Sequence, residues 1–512
     1  MDEYRSYYTK SQFITDYMIK QIDLKDEDLI LEPSAGDGVF IDEVLRYKPH
    51  SKIEAYDLNP EAVKVLENKY KGNQNIKVVN ADTLLDLQLD MFVMSNGHYD
   101  KVIGNPPYGA WQDYEKRDVL KKKYAGFYVK ESYTLFLLRC ISLLKDDGIL
   151  SFIIPDTFMN LHMHNNLREY MLLNTKIKEI LIFPSKFFPG VQYGYSKMCI
   201  ITVQKTADKN IALKNNVRII TDLNQPSDID EITYERDLRK YSVEILNQKE
   251  IFDSVDKAFL IKAGEGVRNL INSSELTLGD IANCVTGIYT GDNKKYFKVA
   301  SDKVKNNLSK CPVITESEIN ENYLEIENII EGIDAENAFI PVVKGSSDSY
   351  IRRNDWYIDW SKDAINHYNT DKKARFQNSQ YYFKKGIALP MVKSSKIKAN
   401  LIENQVFDQS VVGIFPKDEN YLYFMLAFFN SDVFNSIINT INPTANNSAN
   451  YVKKIPIIVP DDMSHIDGLV QKMIDHKRKT GNVDDKIQEE LDKHFSELYA
   501  EWFNKSPELV EV

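Results

Sequence analysis

Short apolar runs recur through the first two hundred residues, and most end on a glycine, a proline or a polar turn. Leu29-Ile30-Leu31 and residues 53–57, 76–79, 101–103, 149–155, 177–183 and 197–203 are runs of this kind. Their length and flanking turn signals predict buried strands. Helical spacings lie between them. Phe13, Ile14, Tyr17, Met18 and Ile22 share one face, residues 39–47 follow a glycine-rich turn, and Phe136, Leu137, Cys140, Ile141 and Leu144 share another face. Strands alternating with helices predict an α/β, doubly wound, Rossmann-like sheet. Past residue 206 the alternation becomes irregular, and Asp, Asn and Lys dominate through about residue 260. A domain boundary is expected there, giving 1–245 and 246–512. The second part is expected to be mixed α+β, with an apolar helix over 421–438, an Asn-rich loop over 442–450 and a helical tail over 466–502. No internal repeat is present.

Composition narrows the class. A chain of 512 residues, 43% hydrophobic and 27% charged, suits two to four globular domains of ~150 residues each. No apolar run approaches ~18 residues, so no transmembrane helix is expected. Met1-Asp2-Glu3-Tyr4-Arg5 lacks the pattern of a signal peptide, and a cytoplasmic location is the default expectation. Cys140, Cys199, Cys284 and Cys311 are widely spaced, without a C-x-x-C pair, and His162 and His164 have no third ligand nearby. No metal is expected.

The net charge of −11 argues against indiscriminate nucleic-acid binding but is only an average. Residues 351–400 carry eleven Lys and Arg against four Asp, a local balance of +7, interleaved with Trp356, Tyr357, Trp360, Phe376, Tyr381 and Tyr382. A basic, aromatic-rich segment predicts a nucleic-acid face; a solvated charged surface is the plainer alternative.

The chemistry concentrates at strand ends. After residues 101–103 come Gly104-Asn105-Pro106-Pro107-Tyr108. Consecutive prolines fix φ and remove two donors. The loop therefore offers acceptors, namely the Asn105 side-chain oxygen and the Asn105 and Pro106 carbonyls, and Tyr108 adds a flat face. A planar ligand bearing an NH2 group suits it. About seventy residues upstream, Glu32-Pro33-Ser34-Ala35-Gly36-Asp37-Gly38 joins a strand to a helix. Its G-x-G is an incomplete dinucleotide fingerprint. Asp57, 21 residues after Gly36, is placed to bind ribose hydroxyls, and Asp82 to accept from an adenine amino group. An acidic pocket repels pyrophosphate and suits a nucleoside carrying cationic groups. Residues 111–130 read as a mobile loop over the crevice or as a solvated surface helix.

These motifs, in this order, resemble those of γ-class, TaqI-like N6-adenine DNA methyltransferases of restriction-modification systems, over the first 205 residues or so. Residues 287–295 also resemble a recurrent turn in that group's target-recognition domains. The resemblance implies a Rossmann-like S-adenosylmethionine-dependent methyltransferase domain followed by a DNA target-recognition domain. It implies that Glu32, Ser34, Asp37 and Asn105 are among the S-adenosylmethionine-binding residues, that the Gly36–Gly38 turn holds its methionine part, Asp57 its ribose and Asp82 its adenine. Thr9 assists, although Lys10 stands where many relatives have proline. Asn105 and the Pro106 carbonyl bind N6 of a flipped adenine, Tyr108 stacks on it, and Phe188 closes the other face, with Phe187, Tyr193 and Tyr195 as alternatives. Tyr289, Lys294, Arg352, Arg353, Lys393 and Lys396 are the expected DNA contacts. The expected partners are duplex DNA and, functionally rather than physically, a cognate restriction endonuclease. A monomer without membrane association is expected. The rivals are a protein glutamine N5-methyltransferase, a fused restriction-methylation enzyme, for which no convincing nuclease motif of an Asp followed by Glu-x-Lys after a strand is found, and a DNA-binding protein without catalysis.

Overall fold

Apolar strand runs and helical faces in the first half assemble into one mixed sheet flanked by helices. In the computed structural model the described residues are Thr9, 11–108, 114–188, 197–304, 307–345, 348–392, 396–442 and 446–503. In chain order the elements are α1 (Gln12–Gln21), β1 (Leu29–Glu32), α2 (Val39–Tyr47), β2 (Lys52–Asp57), α3 (Pro60–Lys69), β3 (Ile76–Asn80), α4 (Leu87–Met94), β4 (Tyr99–Gly104), α5 (Tyr114–Lys123), α6 (Ser132–Leu143) and β5 (Leu144–Pro155). β6 (Thr175–Pro184), β7 (Lys197–Lys205), β8 (Asn216–Thr221) and β9 (Ser242–Asn247) follow. The strand order is β3-β2-β1-β4-β5-β7-β6-β8-β9. β1 to β5 are parallel, β7 inserts antiparallel between β5 and β6, β8 runs parallel to β6, and β9 is antiparallel to β8. The central strands are covered on both faces, which is why they read as continuous apolar runs.

Local chemistry explains most boundaries. Asn59 caps α3 by accepting from Glu61 N, and Pro60 starts it. Gly36 and Gly38 have φ of +55° and +77°, the left-handed region that glycine enters without strain. A Cβ on Gly38 would stand 2.7 Å from Leu66 Cδ2, so the turn also needs glycine for room.

Three expectations differ from the structure. The strand expected over 149–155 begins earlier, at Leu144, and a register shift opposite Tyr99 to Lys101 absorbs the added residues. The irregular stretch after 206 supplies β8 and β9, so the expected 245/246 boundary would fall inside β9. The chain divides instead into compact units Met1–Ile261 and Lys262–Val512. Of the two readings of 111–130 the mobile loop differs and the surface helix matches, since the segment contains the helix α5, of whose described side chains only Leu120 is buried; residues 109–113 lie outside the described residues.

The second unit contains β10 (Ala282–Thr286), β11 (Phe297–Val299), β12 (Phe339–Val343), β13 (Trp356–Asp359), β14 (Lys385–Pro390), β15 (Asn400–Glu403), β16 (Val406–Phe407) and β17 (Val411–Pro416). They form two four-stranded sheets, β10-β17-β14-β15 and β11-β13-β12-β16, with helices after them, a mixed α+β unit. The expected helix over 421–438 is two, Leu422–Phe429 and Asp432–Ile441. Asn430 Nδ2 donates to Ala399 O, its Oδ1 accepts from Ala399 N, and Ser431 caps the second helix. No helix among the described residues is long and apolar enough to cross a membrane.

Candidate active site

β1 and β4 are neighbours and parallel, pairing Ile30 with Lys101 and Leu31 with Val102. Strand order reverses between them, and in open α/β sheets ligands bind beyond the carboxyl ends of the strands at such a point. The glycine-rich turn leaves β1 there and the Asn-Pro-Pro-Tyr loop leaves β4. Ser34 Oγ donates to Asn105 O at 3.2 Å and joins the two loops directly. Pro33 Cδ would stand 3.2 Å from a Cβ on Gly104, and Thr83 Oγ1 donates to Pro33 O at 2.6 Å. Ser34 and Thr83 thus weld three strand ends into one corner.

The acids gather at this corner. Asp57, at the end of β2, accepts from Gly36 N through Oδ2 and from Asn59 N through Oδ1, each at 2.8 Å. It shapes the glycine turn as well as facing it. Glu32 is 2% exposed, and one of its carboxyl oxygens has no hydrogen-bond partner among the described residues. Burial, then the neighbouring Asp37 and Asp57 charges, push its carboxyl well above the usual range. An arriving cation relieves both penalties. The buried, unpartnered Glu32, the Gly36–Gly38 cradle and the surrounding acids therefore fit the ammonium and sulfonium of S-adenosylmethionine. Asp82 accepts from Leu84 N at 3.0 Å and pairs with Lys116 Nζ at 2.6 Å. Lys116 comes from α5, which is tied down further by Lys123 on Asp90 at 2.7 Å and Tyr124 OH on Leu84 O at 2.8 Å. Nothing local in the sequence assigns Lys116 to this pocket.

Asn105 Nδ2 donates to Thr9 Oγ1 at 3.2 Å, bringing the N-terminal motif to the loop. The Tyr108 hydroxyl contacts Asn105 Oδ1 and lies 2.9 Å from Ile153 O. Its ring is 1% exposed, so it is not an open stacking face here; stacking of a base requires displacement of what covers it. Ser132 Oγ donates to Pro107 O at 2.6 Å. Phe188 is buried after β6, next to Phe187, which stacks on Phe183 with centroids 5.9 Å apart. Lys10, Tyr193 and Tyr195 lie outside the described residues.

Residues 16–188 match the Eco57I restriction-modification methylase family. The match contains both motif loops, and the resemblance drawn from them to restriction-modification methyltransferases is borne out. The chain is 28% identical over 324 residues to the type II methyltransferase M.AccI of Acinetobacter calcoaceticus, covering 60% of this chain and 54% of that one. It is 33% identical over 145 residues to the modification methylase CviBIII of Paramecium bursaria Chlorella virus NC1A, covering 28% and 35%. The chain thus spans about half or less of these relatives. A nuclease-deletion mutant of the Type ISP restriction-modification enzyme LlaGI, solved with a DNA substrate mimic, is similar at a TM-score of 0.57 and 14% identity over 93% of this chain and 55% of that one. That likeness is one of fold. The methylase match supports S-adenosylmethionine as the cofactor.

Asp156, the first residue after β5, is a further group that the sequence leaves unmarked. Burial holds its carboxyl up at about 6, against the pull of Lys197. A carboxyl with a folded pKa above its unfolded value of ~4 weakens the fold as pH rises through that interval. Asp156→Asn is expected to stabilise the protein by ~2 kcal/mol at pH 8 and by nothing at pH 3, read from urea midpoints. Equal gains at both pH values would refute it. His162 pairs with Asp256 at 3.2 Å, while His164 is buried between Tyr128 and Tyr133 and held down to about 3 by burial and Arg168. The two histidines do not share a ligand site.

In the second unit the expected DNA-contacting residues separate. Lys294 and Arg353 are exposed and Tyr289 is half-buried. The Arg352 guanidinium donates to Gly345 O at 2.7 Å and Lys344 O at 3.1 Å, so it braces a loop. Lys396 pairs with Asp432 at 2.7 Å, and Lys393 lies outside the described residues. The interleaved aromatics are not a nucleic-acid surface as a group. Trp356, Trp360 and Tyr382 are buried, and Trp360 packs against Tyr368, Phe376, Tyr382 and Phe383. β13 alternates, so its Trp356 and Ile358 enter the core while Tyr357 and Asp359 are only half-buried.

Proposed function

We propose that this protein is a site-specific DNA methyltransferase of a restriction-modification system, transferring a methyl group from S-adenosylmethionine to N6 of an adenine flipped out of duplex DNA. The Ser34–Asn105 hydrogen bond carries the reading, because it puts the acidic nucleoside corner and the amine-accepting loop at one place. On this reading Gly36, Asp37, Gly38, Glu32 and Ser34 hold the methionine portion of the cofactor, Asp57 its ribose and Asp82 its adenine. The cofactor supplies an electrophilic methyl group.

The N6 lone pair is delocalised into the ring, which makes the amine a poor nucleophile. Asn105 Oδ1 and the Pro106 carbonyl, accepting its two hydrogens, draw nitrogen toward tetrahedral geometry and stabilise its developing positive charge. A carbonyl oxygen accepts two hydrogen bonds, so the Tyr108 hydroxyl orients the amide without displacing the substrate. Thr9 holds the other end of the amide, leaving Oδ1 aimed toward the loop. Positioning then supplies much of the rate. Once what covers these two buried rings is displaced, Tyr108 and Phe188 bracket the base, at a flipping cost of a few kcal/mol. The second unit reads the target, and the chain acts as a monomer beside a separate endonuclease.

The experiment is incubation with duplex DNA and methyl-labelled S-adenosylmethionine, followed by digestion to nucleosides. Label in N6-methyl-2′-deoxyadenosine supports the reading; label only in protein glutamine, or none in DNA, overturns it.

Lys116 makes a second prediction. In this conformation its ammonium occupies the Asp82 carboxylate, which the cofactor adenine also needs. Lys116→Met is expected to tighten S-adenosylmethionine binding by roughly three- to tenfold in calorimetry, the scale of a partly buried ion pair no longer competing. Weaker binding would show that Lys116 contacts the cofactor instead.

A further inference from the structure

Residues 287–295 and 372–378 come from distant parts of the second unit and run side by side. Tyr289 N donates to Arg375 O at 3.1 Å, and Arg375 N donates to Tyr289 O at 2.8 Å. Gln377 Nε2 donates to Gly287 O at 2.8 Å and Asn378 Nδ2 to Thr286 O at 2.9 Å. Gly291, with φ +78°, lies so close that a Cβ there would stand 3.2 Å from Ala374 N and 3.4 Å from Lys373 Cβ. On the other side, His367 Nε2 is 2.9 Å from Thr290 O, and its ring stacks on Tyr296 with centroids 4.5 Å apart. Two loops of little regular structure thus form a braced pair.

The outward side chains of this pair are basic. Lys294, Lys295, Lys372, Lys373 and Arg375 are exposed, and none forms an ion pair with a described residue. Its acids, Asp292 and Asp371, accept the backbone N–H groups of Lys295 at 3.2 Å and Lys373 at 2.7 Å, so the five cations outnumber the two carboxylates that cap these turns. Some other cations of the second unit are paired, Lys344 with Asp408, Lys362 with Asp334, Lys396 with Asp432 and Arg478 with Glu403, while exposed Arg353, Lys384, Lys385 and Lys398 lie outside these two loops. A cluster of uncompensated positive charge in a chain of net charge −11, held on a braced backbone, matches a polyanion whose charges are spaced along a strand.

We propose, on the DNA methyltransferase reading above, that these two loops are one phosphate-contacting platform for duplex DNA, with Lys372, Lys373 and Arg375 completing a surface begun by Tyr289, Lys294 and Lys295. The phosphate contacts set the register of the duplex; base readout belongs to neighbouring groups.

The test is duplex affinity across a salt series for the full-length protein and for Lys372→Ala/Lys373→Ala/Arg375→Ala. A charge-matched control, Lys64→Ala/Lys71→Ala/Lys214→Ala, removes exposed lysines of the first unit. The platform variant is expected to lose roughly 10- to 100-fold in affinity near ~0.1 M salt and about 2 to 3 from the log–log salt slope, at ~0.9 per phosphate contact. The control slope is expected to stay within about 0.5 of wild type. Calorimetric S-adenosylmethionine affinity stays unchanged in the platform variant, which shows that the first unit is folded. A steep wild-type slope left unchanged in the platform variant overturns the platform alone. Absence of duplex binding by the wild-type protein overturns both the platform and the methyltransferase reading.

Discussion

Asn105→Ala is expected to lower methyl transfer by at least ~10²-fold while S-adenosylmethionine affinity stays within about threefold of wild type. The amide has one chemical task in the proposed mechanism, accepting a hydrogen from the target amine as positive charge develops on nitrogen. Removing a donor or acceptor aimed at developing charge costs ~10²–10³ in rate in comparable sites. The backbone carbonyl that accepts from Ser34 is retained, so the two loops stay joined and the nucleoside corner keeps its shape. Thr9 and Tyr108 each lose a partner, which predicts a small loss of stability as well. Asn105→Asp, which keeps an acceptor at Oδ1, is expected to retain more activity than Asn105→Ala. Single-turnover transfer to DNA and calorimetric cofactor binding separate the two readouts. Collapse of cofactor binding in Asn105→Ala would place the amide in the wrong pocket.

Asp57→Ala is expected to weaken S-adenosylmethionine binding by ~10²-fold, the scale of losing hydrogen bonds to a charged acceptor. The residue has two duties. Its carboxylate would take the ribose hydroxyls, and it already accepts the N–H groups of Gly36 and Asn59. Truncation leaves the glycine turn without its anchor and the sugar without its acceptor. Turnover at saturating cofactor is expected to fall far less than affinity, because nothing at the reacting nitrogen changes. An affinity within threefold of wild type would remove Asp57 from the cofactor site.

Helix α2 and strands β1 to β4 were readable because their signals are local. A glycine turn needs Gly36 and Gly38 at left-handed φ whatever surrounds it, and runs such as Leu29-Ile30-Leu31 reach the core of any α/β sheet. The Asn-Pro-Pro-Tyr loop was readable for the same reason, since its stiffness comes from the prolines themselves. The basic segment 351–400 shows where this fails. Charge counted along the chain does not reveal that Trp356, Trp360 and Tyr382 turn inward, or that Arg352 braces two carbonyls while Arg375 faces out. β9 was missed because an edge strand with one exposed face carries fewer apolar residues, and β8, second from that edge, because its short apolar run lies in a stretch dominated by Asp, Asn and Lys.

The amino-acid order by itself determined the parallel core, the acids at three strand ends and the acceptor-rich loop, because each depends on neighbours a few residues apart. Only the tertiary structure decided that Ser34 reaches Asn105, that Lys116 covers Asp82, that Tyr108 points into the sheet and that Tyr289 lies against Arg375. Each of those is a contact between residues distant in the chain, the one that orients Tyr108 being with Ile153 on β5. Such contacts depend on how whole elements pack, and no local pattern encodes them.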